Sequence, residues 1–379
     1  MNDQKKLFHS VYADKPVLVT GHTGFKGSWL TLWLSLLGAR VTGFSTCRPL
    51  EPRNFTLCGL EGAIARHWRG DVRDRGALAR CVADTRPDII FHLAAQPIVL
   101  DSYDVPAETI DVNLTGTVNV LEAARTSGSV RAVVVVTTDK VYSEVTDAHG
   151  KNAFTEEASL AGHDPYSASK AMAELAVRSY RLSWKEDGFS KNACALATAR
   201  AGNAFGGGDF APHRLLTDCF RSLPSGKQLV LKTPDSVRPW QSVLEPTSAY
   251  LWLGARLLEE GDAFAEAWNF GPTLEDRVTC ERLTRRVFEL WGAKFSPEIR
   301  PIARHQAVSL LIDSSKAANL LGWIPTWTWE EAAARAVEWF LEYESRRGGS
   351  GDGKMRDVCE RQIALYIRDA KRKGIAWTL

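Results

Sequence analysis

The decapeptide VVVVTTDKVY, residues 133–142, sets two hydroxyls (Thr137, Thr138), a carboxylate (Asp139) and an ammonium (Lys140) directly after four valines. Such a run belongs in a core, and charges at the end of it cost free energy unless they are paired or used. An acid beside a base at a strand end has two readings. It closes the strand as a salt bridge, or it moves protons on a ligand. Downstream, HDPYSASKAMAEL (163–175) carries Tyr166 and Lys170, four apart and so on one helix face. The spacing is common by chance, so its weight lies in what the pair can do. A phenol, with an ordinary pKa of about 10, is a poor base at neutral pH. A neighbouring ammonium favours the phenolate. The phenolate can take a proton from a sugar hydroxyl while a hydride leaves the same carbon for nicotinamide, and Thr138 can hydrogen-bond that hydroxyl.

A dinucleotide would need its own loop. VTGHTGFKG (19–27) spaces Gly21, Gly24 and Gly27 as G-x-x-G-x-x-G between an apolar strand and an amphipathic helix. Glycines permit a tight turn and close backbone approach to a pyrophosphate, and the helix start offers free N–H groups. The loop after the second strand, GFSTCRPLEP (43–52), has no carboxylate before Glu51 and offers Arg48. Taken alone, it leans towards the 2′-phosphate of NADP, unless Arg48 is an ordinary surface residue. Asp71 in RGDVRD either hydrogen-bonds an adenine amino group or caps the helix that follows.

The elements that must position these groups alternate. Strands are expected at 16–20, 40–44, 63–68, 88–94, 132–137 and 193–199. Helices are expected from Lys26 to a stop at Gly38, with Trp29, Leu32, Trp33, Leu36 and Leu37 on one face, and over 115–128 and 167–184. The order implies an α/β fold: a Rossmann-type doubly wound parallel sheet whose ligands sit beyond the carboxyl ends of the strands, where Thr137 to Lys140 lie. After about residue 200, Gly, Pro and Trp become frequent, which fits a smaller α/β substrate domain. We divide the chain into a dinucleotide-binding domain (1–198), a substrate-binding domain interleaved with the last sheet strands (199–345), and a helical tail (346–379) beyond the break RRGGSGDGK. The tail's apolar stripe, Val358, Ile363, Leu365 and Ile367, is expected to dock.

Bulk properties exclude several classes. A net charge of +2 and the absence of Lys/Arg runs give no reason to bind nucleic acid. The seven cysteines are scattered without a C-x-x-C pair, which points to reduced thiols of a cytoplasmic protein and to no metal site. No apolar run is long enough for a bilayer, and the first residues lack the apolar core of a signal peptide.

Together, VTGHTGFKGSW, GDVRD, HLAAQP, TTDKVY, YSASK, RAGNAFGGGD and VRPWQSVLEP make the chain, from about residue 14 to its end, resemble the extended short-chain dehydrogenase/reductases. Within them it looks like the CDP-glucose 4,6-dehydratases. The resemblance implies NAD as cofactor, with binding positions at Gly21, Thr23, Gly24, Phe25, Lys26, Gly27, Asp71, Val72, Leu93, Ala94, Ala95, Tyr166 and Lys170. It implies that Thr138 and Tyr166 serve C4 of a nucleotide-linked hexose, that Asp139 is the acid at the C6 hydroxyl and that Lys140 is the base at C5. Gln96, Asn203 and Arg238 would hold the substrate, Asn203 and Arg238 at its diphosphate. A homodimer or homotetramer and a place in deoxysugar synthesis for surface polysaccharide also follow from the resemblance. Three departures stand out: Ser242 where the family usually has His, Leu100 followed by Asp101 where it has Arg, and STCRP where it has an Asp. A different nucleotide-sugar enzyme of the same fold is the nearest rival, although a simple C4 epimerase has no use for an acid and base aimed at C5 and C6. A catalytically silent cofactor sensor has no use for intact Thr138, Tyr166 and Lys170.

Overall fold

The structure, a computed structural model, describes residues 4–46, 52–143, 153–186, 189–190, 193–273, 275–300, 311–347 and 354–379. Seven strands form one parallel sheet: β1 (Pro16–Thr20), β2 (Arg40–Ser45), β3 (Arg66–Arg69), β4 (Ile89–His92), β5 (Ala132–Val136), β6 (Ala195–Ala201) and β7 (Ala267–Phe270). Their order across the sheet is β7-β6-β5-β4-β1-β2-β3, so the order reverses between β1 and β4. Crevices at such a reversal hold ligands in doubly wound folds. Every residue of β5 is buried, as a strand covered on both faces requires. Val133 and Val135 pack with α2 (Arg75–Thr85), α3 (Gly116–Thr126) and α4 (Pro165–Ser183), while Val134 and Val136 face the opposite layer. That second layer contains α1 (Phe25–Leu36) and α6 (Leu244–Glu260).

The remaining long helices are α5 (Leu215–Ser225), α7 (Cys280–Trp291), α8 (Trp329–Arg346) and α9 (Arg356–Arg372). Their start signals are physical. Asp164 caps α4 by accepting from the Ser167 N–H, with Pro165 in the first turn. Thr328 and Glu331 form a reciprocal capping box on α8. Gly38, at φ +85°, lets the chain leave α1 for β2. Residues 27–34 of α1 are all buried, so this helix is enclosed on every side and has no exposed polar face. The tail is part of that enclosure. In α9, Val358, Ile363, Tyr366 and Ile367 are buried and Leu365 is half-buried. Tyr366 meets Trp33 of α1 at 5.8 Å, and Trp377 stacks on Phe8 at 4.9 Å. The six cysteines among the described residues are buried free thiols, and no helix there is long and apolar enough to cross a membrane.

Candidate active site

Three elements meet where β5 ends. Thr138 is extended and opens a single tight turn, Asp139–Val141. Its hydroxyl donates to Asp139 Oδ1 at 2.9 Å and accepts weakly from the Lys140 N–H at 3.4 Å. Lys140 Nζ donates to the same Oδ1 at 3.1 Å and to Asn203 Oδ1 at 3.3 Å. Asp139 is 1% exposed, and its Oδ2 has no hydrogen-bond partner among the described residues. A buried acceptor left so costs about 1–3 kcal/mol, and such groups call for a ligand or a function. The salt-bridge reading of this strand end is therefore half met: the bridge exists, but it occupies one oxygen of two.

Tyr166 and Lys170 reach the same place from α4. Burial pushes the Tyr166 phenol up to about 12, and a hydrogen bond with Thr138 pulls it the other way. Burial brings Lys170 down to about 8 against the opposing pull of Glu174. The expected lowering of the phenol by Lys170 is not present in this state. The Lys170 ammonium donates instead to Val136 O at 2.9 Å, and desolvation dominates the phenol.

The Gly-rich loop lies across the crevice. Gly21 stands at φ +73°, and a Cβ there would meet Ala94 N at 2.6 Å. A Cβ on Gly27 would lie 2.1 Å from Gly21 O, so the loop, α1 and the segment Leu93–Ala94 close on one another only without side chains at these glycines. Gly24 caps α1 with no side chain across the helix start. Thr23 Oγ1 lies 3.1 Å from Ser45 Oγ at the end of β2. These features fit the pyrophosphate of a dinucleotide. Phe25 is the first residue of α1, beside Arg214 at 5.9 Å. Val72 is buried under Gly116, whose Cβ would meet it at 2.7 Å.

Other expected site residues are placed differently. Lys26 sits in the loop's sequence, but its ammonium contacts Tyr250 OH at 3.5 Å. Burial and Arg214 push it down to about 7, Asp139 holds it up, and Lys140 and Lys170 push down further, so it belongs to the acid–base cluster. Asp71 pairs with Arg73, accepting from its N–H at 2.9 Å and its guanidinium at 2.7 Å. The cap of α2 is Asp74, which overturns the capping alternative for Asp71. Gln96 turns its amide inward: Nε2 donates to Ile98 O and Thr109 Oγ1, and Oε1 accepts from the Ile98 N–H. In the ligand-free protein it shapes its own turn. Arg238 is buried on the short strand Val237–Arg238, which pairs with Val278–Thr279. Ser242 accepts from the Leu244 N–H at 3.3 Å, and Asp101, beside Leu100, lies 3.8 Å from His213. Arg48, with residues 47–51, lies outside the described residues, as does the choice between NAD and NADP read from that loop.

Three residues of the site carried no role in the sequence reading. Tyr250, buried within α6, is acted on by Tyr166 and Asp139. Arg214 acts on both Lys26 and Tyr166 and pairs with Asp209 at 2.8 Å. Glu174 lies one helical turn beyond Lys170, a spacing that could have marked it.

With this geometry in hand, comparison with known proteins is direct. The family model described as GDP-mannose 4,6 dehydratase matches residues 18–336. The chain is 42% identical over 330 residues to the CDP-glucose 4,6-dehydratase of Salmonella typhimurium, covering 86% of this chain and 90% of that one. It is 28% identical to a dTDP-glucose 4,6-dehydratase of Xanthomonas campestris over 89% of this chain and 97% of the other. Among solved structures, the dTDP-glucose 4,6-dehydratase DesIV of Streptomyces venezuelae, with NAD bound, aligns at a TM-score of 0.73 and 27% identity, over 89% of this chain and 99% of that one.

Proposed function

The chain belongs to the GDP-mannose 4,6 dehydratase family, and from that premise we propose that it is a nucleotide-hexose 4,6-dehydratase acting on CDP-glucose, with NAD held in the site and recycled each turnover. The product is CDP-4-keto-6-deoxyglucose. CDP is favoured over other bases by the identity to the Salmonella enzyme, and NAD by the solved dehydratase relative and by the side-chain-free loop at Gly21 and Gly27.

In this reading Tyr166, as the phenolate, takes the proton of the C4 hydroxyl, and Thr138 hydrogen-bonds that hydroxyl. The Gly21–Gly27 loop would hold NAD, which would supply the hydride acceptor for C4 and the donor for C6. Oxidation at C4 acidifies the C5 proton; with the proton of the Lys140–Asp139 pair resting on Asp139, the neutral amine of Lys140, the half-exposed member, removes it. Asp139 protonates the departing C6 hydroxyl, so that water leaves across C5 and C6, and Lys140, now an ammonium, returns a proton to C5 as hydride reaches C6. Asn203, bonded to Lys140, and Arg238, a buried guanidinium suited to phosphate oxygens, orient the sugar diphosphate. Lys170, tied to Val136 O, positions the helix that carries Tyr166. The observation that carries the reading is the second oxygen of Asp139, buried beside Thr138 and Lys140 and left without a partner among the described residues. A strand end held only for stability would have used it.

The exposed Met172, Leu175 and Leu182 of α4 support a homodimer through α3 and α4. A cytoplasmic place in deoxysugar supply for surface polysaccharide completes the proposal. A mass spectrum of the purified protein mixed with CDP-glucose, NAD, or both tests it. Loss of one water from CDP-glucose, faster than from the UDP, GDP or dTDP analogues, is expected. Preference for another base refutes the CDP assignment, and no loss of water from any of them refutes the dehydratase reading.

A further inference from the structure

Glu174 is 3% exposed and lies deep between α4 and β6. Tyr166, Lys170 and Glu174 recur every fourth residue and so share one face of α4. That face meets three consecutive residues at the end of β5. Lys170 Nζ donates to Val136 O at 2.9 Å, Thr137 Oγ1 donates to Glu174 Oε1 at 2.5 Å, and Thr138 hydrogen-bonds Tyr166. The other oxygen of Glu174 faces β6. Oε2 accepts from Thr198 Oγ1 and from Arg200 Nη2, both at 2.8 Å. Arg200 then donates through Nη1 to Tyr142 OH at 2.9 Å, and Tyr142 donates to Asn269 Oδ1 at 2.6 Å. Tyr142 directly follows the turn Asp139–Val141. One carboxylate therefore reaches the residue before Thr138 directly and the residue after the turn through Arg200.

We propose that Glu174 is a positioning residue: a single buried carboxylate that clamps both ends of segment 137–142 and so fixes the acid and base carried between them. The proposal rests on the roles given above to Thr138, Asp139 and Lys140. Its physical basis is direction. A buried ion pair gives little net stability against an apolar pair of similar volume, so stability alone does not account for the charge. Two oxygens with fixed lone pairs accept from opposite sides, which an apolar side chain cannot do. Clamping matters because a small displacement of catalytic groups lowers turnover more than it weakens binding.

Two variants test this. Thr137→Val removes one hydroxyl and leaves the Glu174–Arg200 pair intact. Glu174→Gln removes the charge that also holds Arg200 to Tyr142. Thr137→Val should lower kcat about ten-fold with KM for CDP-glucose within about two-fold, and Glu174→Gln should lower kcat further at similar KM. Hydrogen exchange of segment 137–142 in the folded proteins should quicken in both. Parental kcat in Thr137→Val, or a loss in kcat/KM that lies wholly in KM, overturns the proposal. If Glu174→Gln fails to fold, Thr137→Val decides alone. Parental exchange in Thr137→Val overturns the clamp even if the parent enzyme dehydrates no nucleotide sugar, an outcome that separately refutes the functional reading.

Discussion

Replacing Asp139 by Asn exchanges one oxygen for nitrogen and removes one charge, so it separates the two readings of the strand end. The stability side follows from exposure and contacts. Lys140 is 27% exposed and Asp139 1%, so the bridge is screened from one side only; its loss costs about 1.5–3 kcal/mol, offset by no longer burying the carboxylate charge. The unpartnered Oδ2 already carries a desolvation cost, and an amide in its place carries a comparable one. Net stability should therefore move by no more than about 1 kcal/mol, a change of a few degrees in Tm. The catalytic side is larger. A general acid contributes about 10²–10⁴-fold, or about 3–5 kcal/mol of barrier. The assay pairs a melting curve with turnover of CDP-glucose in heavy water. Asp139→Asn should melt near the parent, form dehydrated product about 100-fold more slowly or worse, and still exchange deuterium into C5. Exchange persists because Lys140 and the 4-keto intermediate remain. Turnover near the parental rate with a clear drop in Tm would refute the reasoning and leave Asp139 as a strand-end ion pair.

Other consequences are open to the same kind of check. Folding holds Lys26 at about 7 and Lys170 at about 8, both below the unfolded lysine value of about 10.4, so the unfolded chain binds more protons between these limits. Stability of the ligand-free protein should thus rise from pH 7 to pH 9, and Lys26→Met should raise Tm at pH 7 and flatten the rise; a steeper rise in the variant contradicts this. Denaturing the purified protein should release NAD or its reduced form, and finding only NADP would reverse the cofactor assignment and direct attention to Arg48. Leu175, 53% exposed on α4, should be covered in the dimer, so Leu175→Glu should shift the protein to monomer in light scattering, whereas an unchanged dimer would place the interface elsewhere.

Much of this was legible before the structure. Strands β1, β4, β5 and β6 announce themselves through short apolar runs, whereas β3 is the basic edge segment Arg66–Arg69, and the loops that follow β1 and β5 lie at carboxyl ends as the alternation requires. The turn at Asp139 was visible because charges after four valines must be paired or used, and the other motifs weigh for use. What stayed hidden depends on where side chains turn in three dimensions. Lys26 lies within the glycine loop in sequence, yet as the second residue of α1 it turns its ammonium to Tyr250. Gln96 stands at a strand end like a ligand-facing residue, but its amide closes its own turn. Tyr250 sits in the run AYLWLG of α6, where an aromatic residue reads as core. The direction of the Tyr166 shift depends on burial, which spacing alone does not report.

In the proposed mechanism Lys140 and Asp139 divide the elimination between them as base and acid. The most direct measurement is the reaction of Lys140→Met with CDP-glucose in heavy water, followed by cofactor absorbance and by deuterium at C5. C4 oxidation does not need Lys140, so absorbance of reduced cofactor should appear while no dehydrated product forms and no deuterium enters C5. Dehydrated product formed by Lys140→Met at near the parental rate, with deuterium at C5, would contradict the account and leave Lys140 as a counter-ion for Asp139.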